Sequence, residues 1–396
     1  MLTYARSPCA SKTGGPPDAL LTAPLIERAV WVAEEAHALA AEMDSDDAFP
    51  VQSLARLSRL GLLAAPLPPD AHSVDGGRLG LATDPAKVLG LCQILRIIGA
   101  GSLPLGRLYE GHINAILLIS TYGTAPQLAR VAGEVEQGAL LGVWNTETGA
   151  GLKLLGGEGG GTLAGGKIFA SGAGYLTRPV VTAKSRRNAL LMVLPQLKVG
   201  ERADMARWRA HGMRASATGD IDLTGIEITP ADIVGTENDY HREPLFSTGA
   251  WRFAAVQAGA IWRILDIVRQ HLRQAGRDGD SHQLTRFGTM AMHAESARQW
   301  VESAATTAID ETKTPAARIA HVNLCRSAVE AAGMEVIQLA QKSVGLAGLL
   351  RSHPLEQACR DLATYLRQPA PDRALTTAAS HYLGRGDATA FCWVLL

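Results

Sequence analysis

HGMRASATGDIDLTGIEIT, residues 211–229, is a turn sequence that leads into short strands. Four segments of similar character precede it between residues 139 and 197: ALLGVWN, GTLAGGKIFASG, RPVVTAK and NALLMVLPQL. Apolar and β-branched residues bounded by Gly, Pro and Asp are typical of strands. We therefore predict a middle β domain, a barrel or a sandwich, over residues 139–240.

The sequence on both sides of this β domain has helical spacing. We predict an N-terminal helical domain over residues 23–138 and a C-terminal four-helix-type bundle over residues 241–396. Residues 1–22 are rich in Ser, Gly and Pro, and we expect a flexible tail there. The predicted fold class is mainly α with a β domain. The longest helices of the bundle are predicted over residues 251–274, 282–310 and 317–343.

Composition argues against several classes of function. Lys and Arg number 38, as do Asp and Glu, so no net charge favours a nucleic acid or an anionic membrane. The five cysteines are scattered singly without a CxxC pair, which predicts neither a disulfide framework nor a metal site and fits a reducing cytoplasm. No apolar run approaches the ~18 residues of a membrane span. We expect a cytoplasmic protein that binds a small molecule.

Residues 156–166, GGEGGGTLAGG, are dense in glycine and invite comparison with phosphate-binding loops. They are followed by strand residues and lack the GK[ST] of such a loop. We therefore predict a hairpin loop here.

Four short motifs are distributed along the chain: TETGAG (146–151), KIFASG (167–172), HGMRASATGD (211–220) and VGLAG (344–348). With the order of helices, strands and helices, they resemble the acyl-CoA dehydrogenase superfamily of FAD enzymes. The resemblance implies FAD in a cleft between the β domain and the bundle. The residues that it implies for cofactor binding are Thr146, Gly151, Phe169, Ser171, Gly345 and Gly348.

Each of these residues has a role implied by the resemblance. Thr146 and its loop would line the pyrimidine side of the flavin, Phe169 would pack beside the ring system, and Ser171 would form a hydrogen bond near N5. Glycines permit the close backbone approach that a dinucleotide needs. The turn at 345–348 would receive part of the FAD of a neighbouring subunit, which implies a homodimer or homotetramer.

The segment RDLATYLRQPAPDR, residues 360–373, ends in two prolines. In the family, the helix that carries this Arg-Asp pair is followed by a glutamate that removes the substrate α-proton. Counting from Arg360 places Pro369 at the glutamate position. The family's second position for the base precedes Arg252 and is Trp251. We expect the prolines to stop the helix and shape a pocket, and the candidates for a replacement base are Glu110, His112 and Asp372.

The missing base leaves three functions open. The first is an FAD-dependent oxidoreductase that acts on an acyl thioester, bound to coenzyme A or to a carrier protein. The second is a flavin-dependent monooxygenase of the same fold, which needs no α-proton base but needs an electron-transfer or flavin-reductase partner; related monooxygenases resemble this chain in placing a histidine on the helix of His112. Substrate contacts are predicted for Arg214, Ser216, Arg252 and Gln368.

The third function is a redox-inert scaffold of the same fold that binds an acyl ligand or a partner. Leu152 and Lys153 stand where the family has Ser-Asp, which removes a hydroxyl that helps to hold the cofactor phosphates. The retained Thr146, Phe169 and Ser171 favour a flavin enzyme over this alternative.

Overall fold

The structure, a computed structural model, describes residues 24–45, 48–69, 77–147, 149, 151–157 and 159–384. The tail predicted over residues 1–22 lies outside this part of the chain, as does Thr148 of the TETGAG motif. The elements follow the order helices, strands, helices, which confirms the predicted fold class. The exact boundaries of the three domains stay predictions.

Among the described residues, five helices precede the strands. The sequence sets their starts. Ser102 Oγ accepts a hydrogen bond from Leu105 N (3.3 Å), and Thr124 and Gln127 form a capping box. Asp84 Oδ1 likewise accepts from Ala86 N (3.0 Å) in the short 3₁₀ turn before the third helix. The helices are α1 Leu25–Ala38, α2 Val51–Arg59, α3 Val88–Gly101, α4 Leu103–Tyr122 and α5 Ala125–Glu136.

The middle region contains two sheets in which most strand pairs are antiparallel. The larger sheet has the strand order β10-β6-β5-β2-β3-β9, with β1 parallel to β5, and the smaller has the order β4-β8-β7. The strands are β1 Val143–Trp144, β2 Lys153–Gly157, β3 Gly160–Ala164, β4 Gly166–Ala170, β5 Val180–Lys184, β6 Leu190–Val193, β7 Ala203–Asp204, β8 Gly219–Asp222, β9 Glu227–Ile228 and β10 Ile233–Val234.

The glycine-dense segment forms the β2–β3 hairpin, so the prediction of a hairpin loop is confirmed. The pairing runs from Lys153 opposite Ala164 to Gly157 opposite Gly160. A Cβ at Gly161 would overlap the carbonyl oxygen of Leu155, so this close pairing requires glycine.

Six further helices follow the strands in the described part of the chain. The three longest, α7 to α9, pack on one another; α3 and α10 pack on α7, and α11 packs on α9. None of the described helices is both long and apolar enough to cross a membrane. These elements are α6 Leu245–Thr248, α7 Trp251–Gln274, α8 Ser281–Ile309, α9 Pro315–Val344, α10 Pro354–Tyr365 and α11 Pro371–Leu383.

The end of α10 shows how the prolines act. A further helical turn would need an N–H at residue 369 to reach Tyr365 O, and proline has none. The side-chain amides of Gln257 and Gln368 each donate to Tyr365 O at 2.8 Å instead. The helix therefore ends at Tyr365, and Pro371 occupies the first turn of α11, where proline is tolerated.

Helices α3 and α7 touch backbone to backbone at two glycines. A Cβ at Gly99 would overlap Val256 O, and one at Gly259 would overlap Arg96 O. This crossing joins the first helical region to the bundle, so the relative position of the two regions depends on the absence of these side chains.

We expect Gly259→Ala to lower the free energy of unfolding by about 1–3 kcal/mol, because the added methyl group forces two rigid backbones apart. Denaturant unfolding measures this change. Gly288→Ala in α8 is the control: a Cβ there meets open space, and the exposed helix should gain up to about 1 kcal/mol. Equal stabilities of the two variants would contradict the close crossing.

Candidate functional site

The HGMRASATGD turn is joined to α10 through its backbone. Asp361 Oδ1 accepts a hydrogen bond from Met213 N (2.6 Å), and Arg360 Nη1 donates to His211 O (2.8 Å). A Cβ at Gly212 would overlap Arg360 O. Met213 has a φ of 61°, so the turn is held in a left-handed conformation. The Arg-Asp pair of α10 therefore fixes the turn of the β domain against the bundle.

Ion pairs reinforce this joint. Arg360 binds both Asp44 (2.6 Å) and Glu356 (2.5 Å), and these contacts raise its pKa. Arg214, a predicted substrate residue, lies 3.7 Å from the same Asp44. Burial raises the pKa of Asp361 from the ordinary 3.8 to about 6, although the Met213 amide and the Arg360 charge oppose the shift.

The raised pKa of Asp361 predicts a pH effect on stability. The folded chain holds this proton more tightly than the unfolded chain, so the stabilisation is fully present below the ordinary pKa and is lost as the pH rises through about 6. Asp361→Asn is neutral and keeps an acceptor for Met213 N. We expect the variant to gain stability relative to the unmodified protein when unfolding is measured at about pH 7 rather than about pH 4. A difference that is constant with pH would contradict this prediction.

A chain of hydroxyl groups leads from the turn into a cleft of the β domain. Ser216 Oγ lies 2.7 Å from Thr218 Oγ1, and Thr218 Oγ1 donates to Ser171 Oγ at 3.2 Å. Ser216 and Thr218 are buried, whereas Ser171 is half-buried. Thr218, the middle residue of this chain, lines the cleft and connects the other two hydroxyls to it.

The cleft has a volume of about 260 Å³ and an aromatic wall. The Phe169 ring meets Trp208 edge to face, with centroids 6.4 Å apart, yet 60% of Phe169 remains exposed. The β4–β8 register shifts between Lys167 and Ala170, and Phe169 has a φ of 52° inside this irregularity. A bulge of this kind redirects a side chain, here towards the cleft.

A buried lysine anchors the loop that precedes the cleft. Lys167 has a fully buried side chain whose ammonium donates to Glu147 Oε1 (2.6 Å), Thr182 Oγ1 (2.9 Å) and Asn145 O (3.1 Å). Burial lowers its pKa, and the bond to Glu147 opposes that effect. All three donors of the ammonium are satisfied. Lys167 thus ties strand β4 to the loop on which Thr146 lies.

The same loop requires glycine at position 151. Gly151 has a φ of 70°, and a Cβ there would overlap the carboxylate of Glu147. Thr146 is exposed and its carbonyl accepts from Ile168 N at 3.0 Å, so the loop runs beside the strand of Phe169. Its glycines permit a ligand to approach the backbone closely.

His112 is fully buried and both of its ring nitrogens are engaged. Nε2 lies 2.9 Å from Leu63 O, and Nδ1 accepts from Leu141 N at 3.0 Å. Burial lowers its pKa to about 4. The neutral ring therefore joins α4 to two backbone segments, and neither nitrogen is free to serve as a base.

Glu110, two residues before His112 on α4, lies in a buried polar cluster. Arg107 Nη1 donates to Glu110 Oε2 at 2.6 Å, and the Asn114 amide donates to Glu110 Oε1. Arg252 Nε donates in turn to Asn114 Oδ1. Tyr365, at the end of α10, borders the cluster, and burial raises the pKa of its phenol. Glu110 is thus held between cationic and amide donors.

The remaining predicted residues lie apart from the cleft. Asp372 is exposed in the first turn of α11, where a carboxylate interacts favourably with the helix dipole. Gln368 caps α10 at Tyr365 O. Gly345 and Gly348 lie in a 3₁₀ turn, Gly345–Leu349, that packs against α9 and α10.

The structure therefore brings only some of the predicted residues together. Phe169 lines the cleft, and Ser171 and Ser216 form hydrogen bonds with the lining residue Thr218. Glu110 lies near Arg252 in the polar cluster. The roles of all predicted site residues stay predictions. Lys167 was not predicted from the sequence, although its place in the KIFASG motif, with the apolar Ile168 and Phe169 next to it, was the available signal. Also missed were Trp208, Thr218 and Asn114, for which spacing gives no signal.

The chain is similar to known proteins in part of its sequence and in its fold. Residues 243–366 match the family model described as acyl-CoA dehydrogenase, C-terminal domain. The probable acyl-CoA dehydrogenase YngJ of Bacillus subtilis (strain 168) is 24% identical over an alignment of 293 positions, which covers 67% of this chain and 73% of that protein.

Solved structures of similar fold cover nearly the whole chain. FMN-bound TdsC from Paenibacillus sp. A11-2, described as a dibenzothiophene monooxygenase, has a TM-score of 0.78 at 18% identity, over 92% of this chain and 99% of its own. The methanesulfinate monooxygenase MsuC from Pseudomonas fluorescens has a TM-score of 0.75 at 18% identity, over 91% and 97%. At these identities the likeness shows the fold alone. Residues 243–366 thus match the C-terminal domain of the acyl-CoA dehydrogenases, and the chain as a whole shares the fold of these solved structures.

Proposed function

We propose that the chain is a flavin-dependent monooxygenase of the acyl-CoA dehydrogenase fold. The observation that carries this proposal is the state of the candidate bases. Pro369 and Trp251 occupy the two base positions of the family and accept no proton. His112 has no free nitrogen, Glu110 is bound to Arg107, and Asp372 is exposed on α11. Oxygenation needs no α-proton base, whereas dehydrogenation of an acyl thioester does.

The cleft beside Phe169 fits a flavin. A flat ring system needs an apolar face, hydrogen-bond donors at its edge and backbone at close approach. The exposed Phe169 ring, the Ser171 hydroxyl and the loop of Gly149 and Gly151, which have φ values of 52° and 70°, supply these three features. We propose FAD, as the resemblance implies. The FMN bound to TdsC makes FMN the comparison for every binding measurement.

The residues of the chain would position the cofactor and the substrate. A bound flavin supplies the hydride and oxygen chemistry. Thr218 donates to Ser171 Oγ, so the proton of Ser171 remains available to donate to a ligand in the cleft. Lys167 and Glu147 hold the loop of Thr146 in place. The Phe169–Trp208 wall excludes water from one face of the site, which favours oxygen chemistry.

The proposal is tested by determining which compound reduces the flavin, an acyl-CoA or a flavin reductase. The purified protein, supplied with FAD or FMN, is mixed without oxygen with a panel of acyl-CoAs, and flavin bleaching is followed. We expect no bleaching, and we expect oxygen consumption coupled to an oxygenated product only when a flavin reductase supplies electrons. Bleaching by an acyl-CoA would select the dehydrogenase function, which the name of YngJ supports. Failure to bind either flavin would select the inert scaffold.

We expect Phe169→Ala to weaken flavin binding by roughly ten-fold, because an aromatic contact of this kind contributes about 0.5–1.5 kcal/mol beyond the area that it buries. Titration with FAD and FMN, followed by the visible spectrum, measures the change. Phe246→Ala is the control, since Phe246 lies in α6, is also partly exposed and packs edge to face on Tyr240. An unchanged affinity would show that the flavin does not lie beside Phe169.

We further propose a homodimer or homotetramer. The 3₁₀ turn at Gly345–Leu349 presents leucines to solvent: Leu346 is 76% exposed, and Leu349 and Leu350 are 52% and 53% exposed. Burying such side chains against a second copy would remove apolar surface from water. Light scattering at micromolar concentration tests this proposal, and a monomer would contradict it.

A further inference from the structure

The polar cluster on α4 is the strongest unexplained feature of the molecule. Arg107, Glu110 and Asn114 are three and four residues apart, so they lie on one face of α4. Arg252 approaches this face from α7, and Tyr365 from the end of α10. Fatty acyl chains require apolar walls, whereas this space is filled with charged and amide groups.

The cluster contains more positive than negative charge. Glu110 is bound to Arg107. Arg252 is 9% exposed and, among the described residues, has no ion pair with any carboxylate; its Nε donates to the neutral Asn114. Its guanidinium also lies 5.5 Å from the centre of the Trp251 ring. Burial lowers the pKa of Arg252 to about 10, in opposition to the charge of Glu110. Two guanidinium groups thus share one carboxylate.

A buried charge without a partner is costly and is rarely kept without a use. Arginine binds carboxylates and other oxyanions through two parallel N–H groups, and Arg252 uses only its Nε here. The Trp251 ring and the Asn114 amide do not neutralise the charge of Arg252. The cluster therefore has room in its charge balance for one bound anion.

The position of the cluster indicates where that anion comes from. Arg252 follows Trp251 in sequence, and Tyr365 lies four residues before Pro369. The cluster therefore contains close sequence neighbours of both positions that the resemblance implies for a base. The Arg107 side chain keeps 29% of its surface exposed, which opens the cluster to solvent. One end of a substrate bound in the active site would contact Arg252 and Arg107.

We propose that Arg252 and Arg107 bind a negatively charged oxyacid group of the substrate, with a carboxylate as the reference ligand. The substrate class is thus a small organic anion rather than a long acyl chain. This inference rests on the proposed function, because it assigns the substrate of the same site. Asn114 and Glu110 act as positioning residues that orient the two guanidinium groups.

Binding of simple anions to the flavin-loaded protein tests the proposal. Acetate and benzoate are compared with acetamide and benzamide by calorimetry and by the shift of the melting temperature. We expect the carboxylates to bind and the amides not to bind. Arg252→Gln should weaken carboxylate binding by roughly ten- to a hundred-fold, the usual loss for a charge-assisted pair.

Stability separates a ligand-binding role from a structural one. If the function of Arg252 is to bind an anion, the Arg252→Gln variant should be at least as stable as the unmodified protein in anion-free buffer, because the substitution removes an uncompensated buried charge. Arg263→Gln, on the same helix but paired with Asp266 at 3.4 Å, is the matched control and should bind carboxylates normally.

Three outcomes would overturn the proposal. The first is equal binding of acids and amides, and the second is a marked destabilisation by Arg252→Gln with unchanged carboxylate binding. The third is a melting temperature that is raised by coenzyme A but by neither acetate nor benzoate. The last would assign the arginines to the phosphates of a thioester. The proposed function is judged separately, by flavin binding in the visible spectrum and by reductase-coupled oxygen consumption.

Discussion

Lys167→Met is expected to lower the free energy of unfolding by about 3–5 kcal/mol and to abolish flavin binding. The side chain of Lys167 is fully buried, and its ammonium is bound to Glu147, Thr182 and Asn145 O. Methionine fits the space but donates no hydrogen bond. Thr182 and Asn145 O lose this donor, and Glu147 keeps only the weaker contacts with Leu152 N (3.4 Å) and Lys184 (3.7 Å). Denaturant unfolding measures the stability, and titration with FAD and FMN measures the binding.

Lys184→Met is the matched control. Lys184 approaches the same Glu147, at 3.7 Å, but its side chain is 36% exposed. Exposed pairs contribute only about 0–1 kcal/mol, so this variant should remain folded and bind flavin. If the two variants proved equally stable, the buried ammonium would not be the anchor of the loop.

The regular elements were predictable because their signals are local. The apolar spacing predicted a helix over residues 251–274, and α7 spans Trp251–Gln274. The turn residues of the glycine-dense segment predicted the β2–β3 hairpin. Pro369 predicted a helix end, and Tyr365 O is left without its backbone donor for that reason. In each case residues close in sequence decide the structure.

The site was less predictable because its residues are distant in sequence. Nothing in the sequence near His112 shows that Leu63 O and Leu141 N occupy its two nitrogens. The pairing of Lys167 with Glu147 depends on the return of β4 beside the preceding loop. Such contacts are set by tertiary packing, so a motif identifies the residue but not its partner.

Arg360 and Asp361 are a second case in which a motif does not reveal its contacts. The pair marks the family in sequence, yet in the structure Asp361 binds Met213 N and Arg360 binds Asp44 and Glu356. These contacts join three segments of the chain. The pair therefore holds these segments in position, and a part for residue 369 in the chemistry remains what the resemblance implies.

Pro369→Glu is expected to confer flavin reduction by short-chain acyl-CoAs, which we do not expect of the unmodified protein. A long acyl chain is not expected to fit beside the charged cluster of Arg252 and Glu110. A positioned general base contributes about 10²–10⁴-fold to proton abstraction, and the resemblance implies position 369 for the family's glutamate. The variant, loaded with flavin, is mixed without oxygen with a panel of acyl-CoAs, and bleaching is followed over time. Pro369 is exposed and only its carbonyl oxygen forms a hydrogen bond, with Arg326 Nη2 at 2.9 Å, so the substitution should not disturb the bundle.

The Pro369→Gln variant distinguishes the effect of adding a base from the effect of removing proline from the backbone. Either substitution restores an N–H that can bond to Tyr365 O and lengthen α10, but only glutamate can take up a proton. Bleaching in the Glu variant alone would mean that the fold still holds an acyl-CoA against the flavin and has lost only the base. Bleaching in neither variant, with flavin bound in both, would mean that the polar cluster around Arg252 and Glu110 no longer admits an acyl chain, in agreement with an anionic substrate. Rapid bleaching of the unmodified protein would show that another group removes the proton and would refute the monooxygenase proposal.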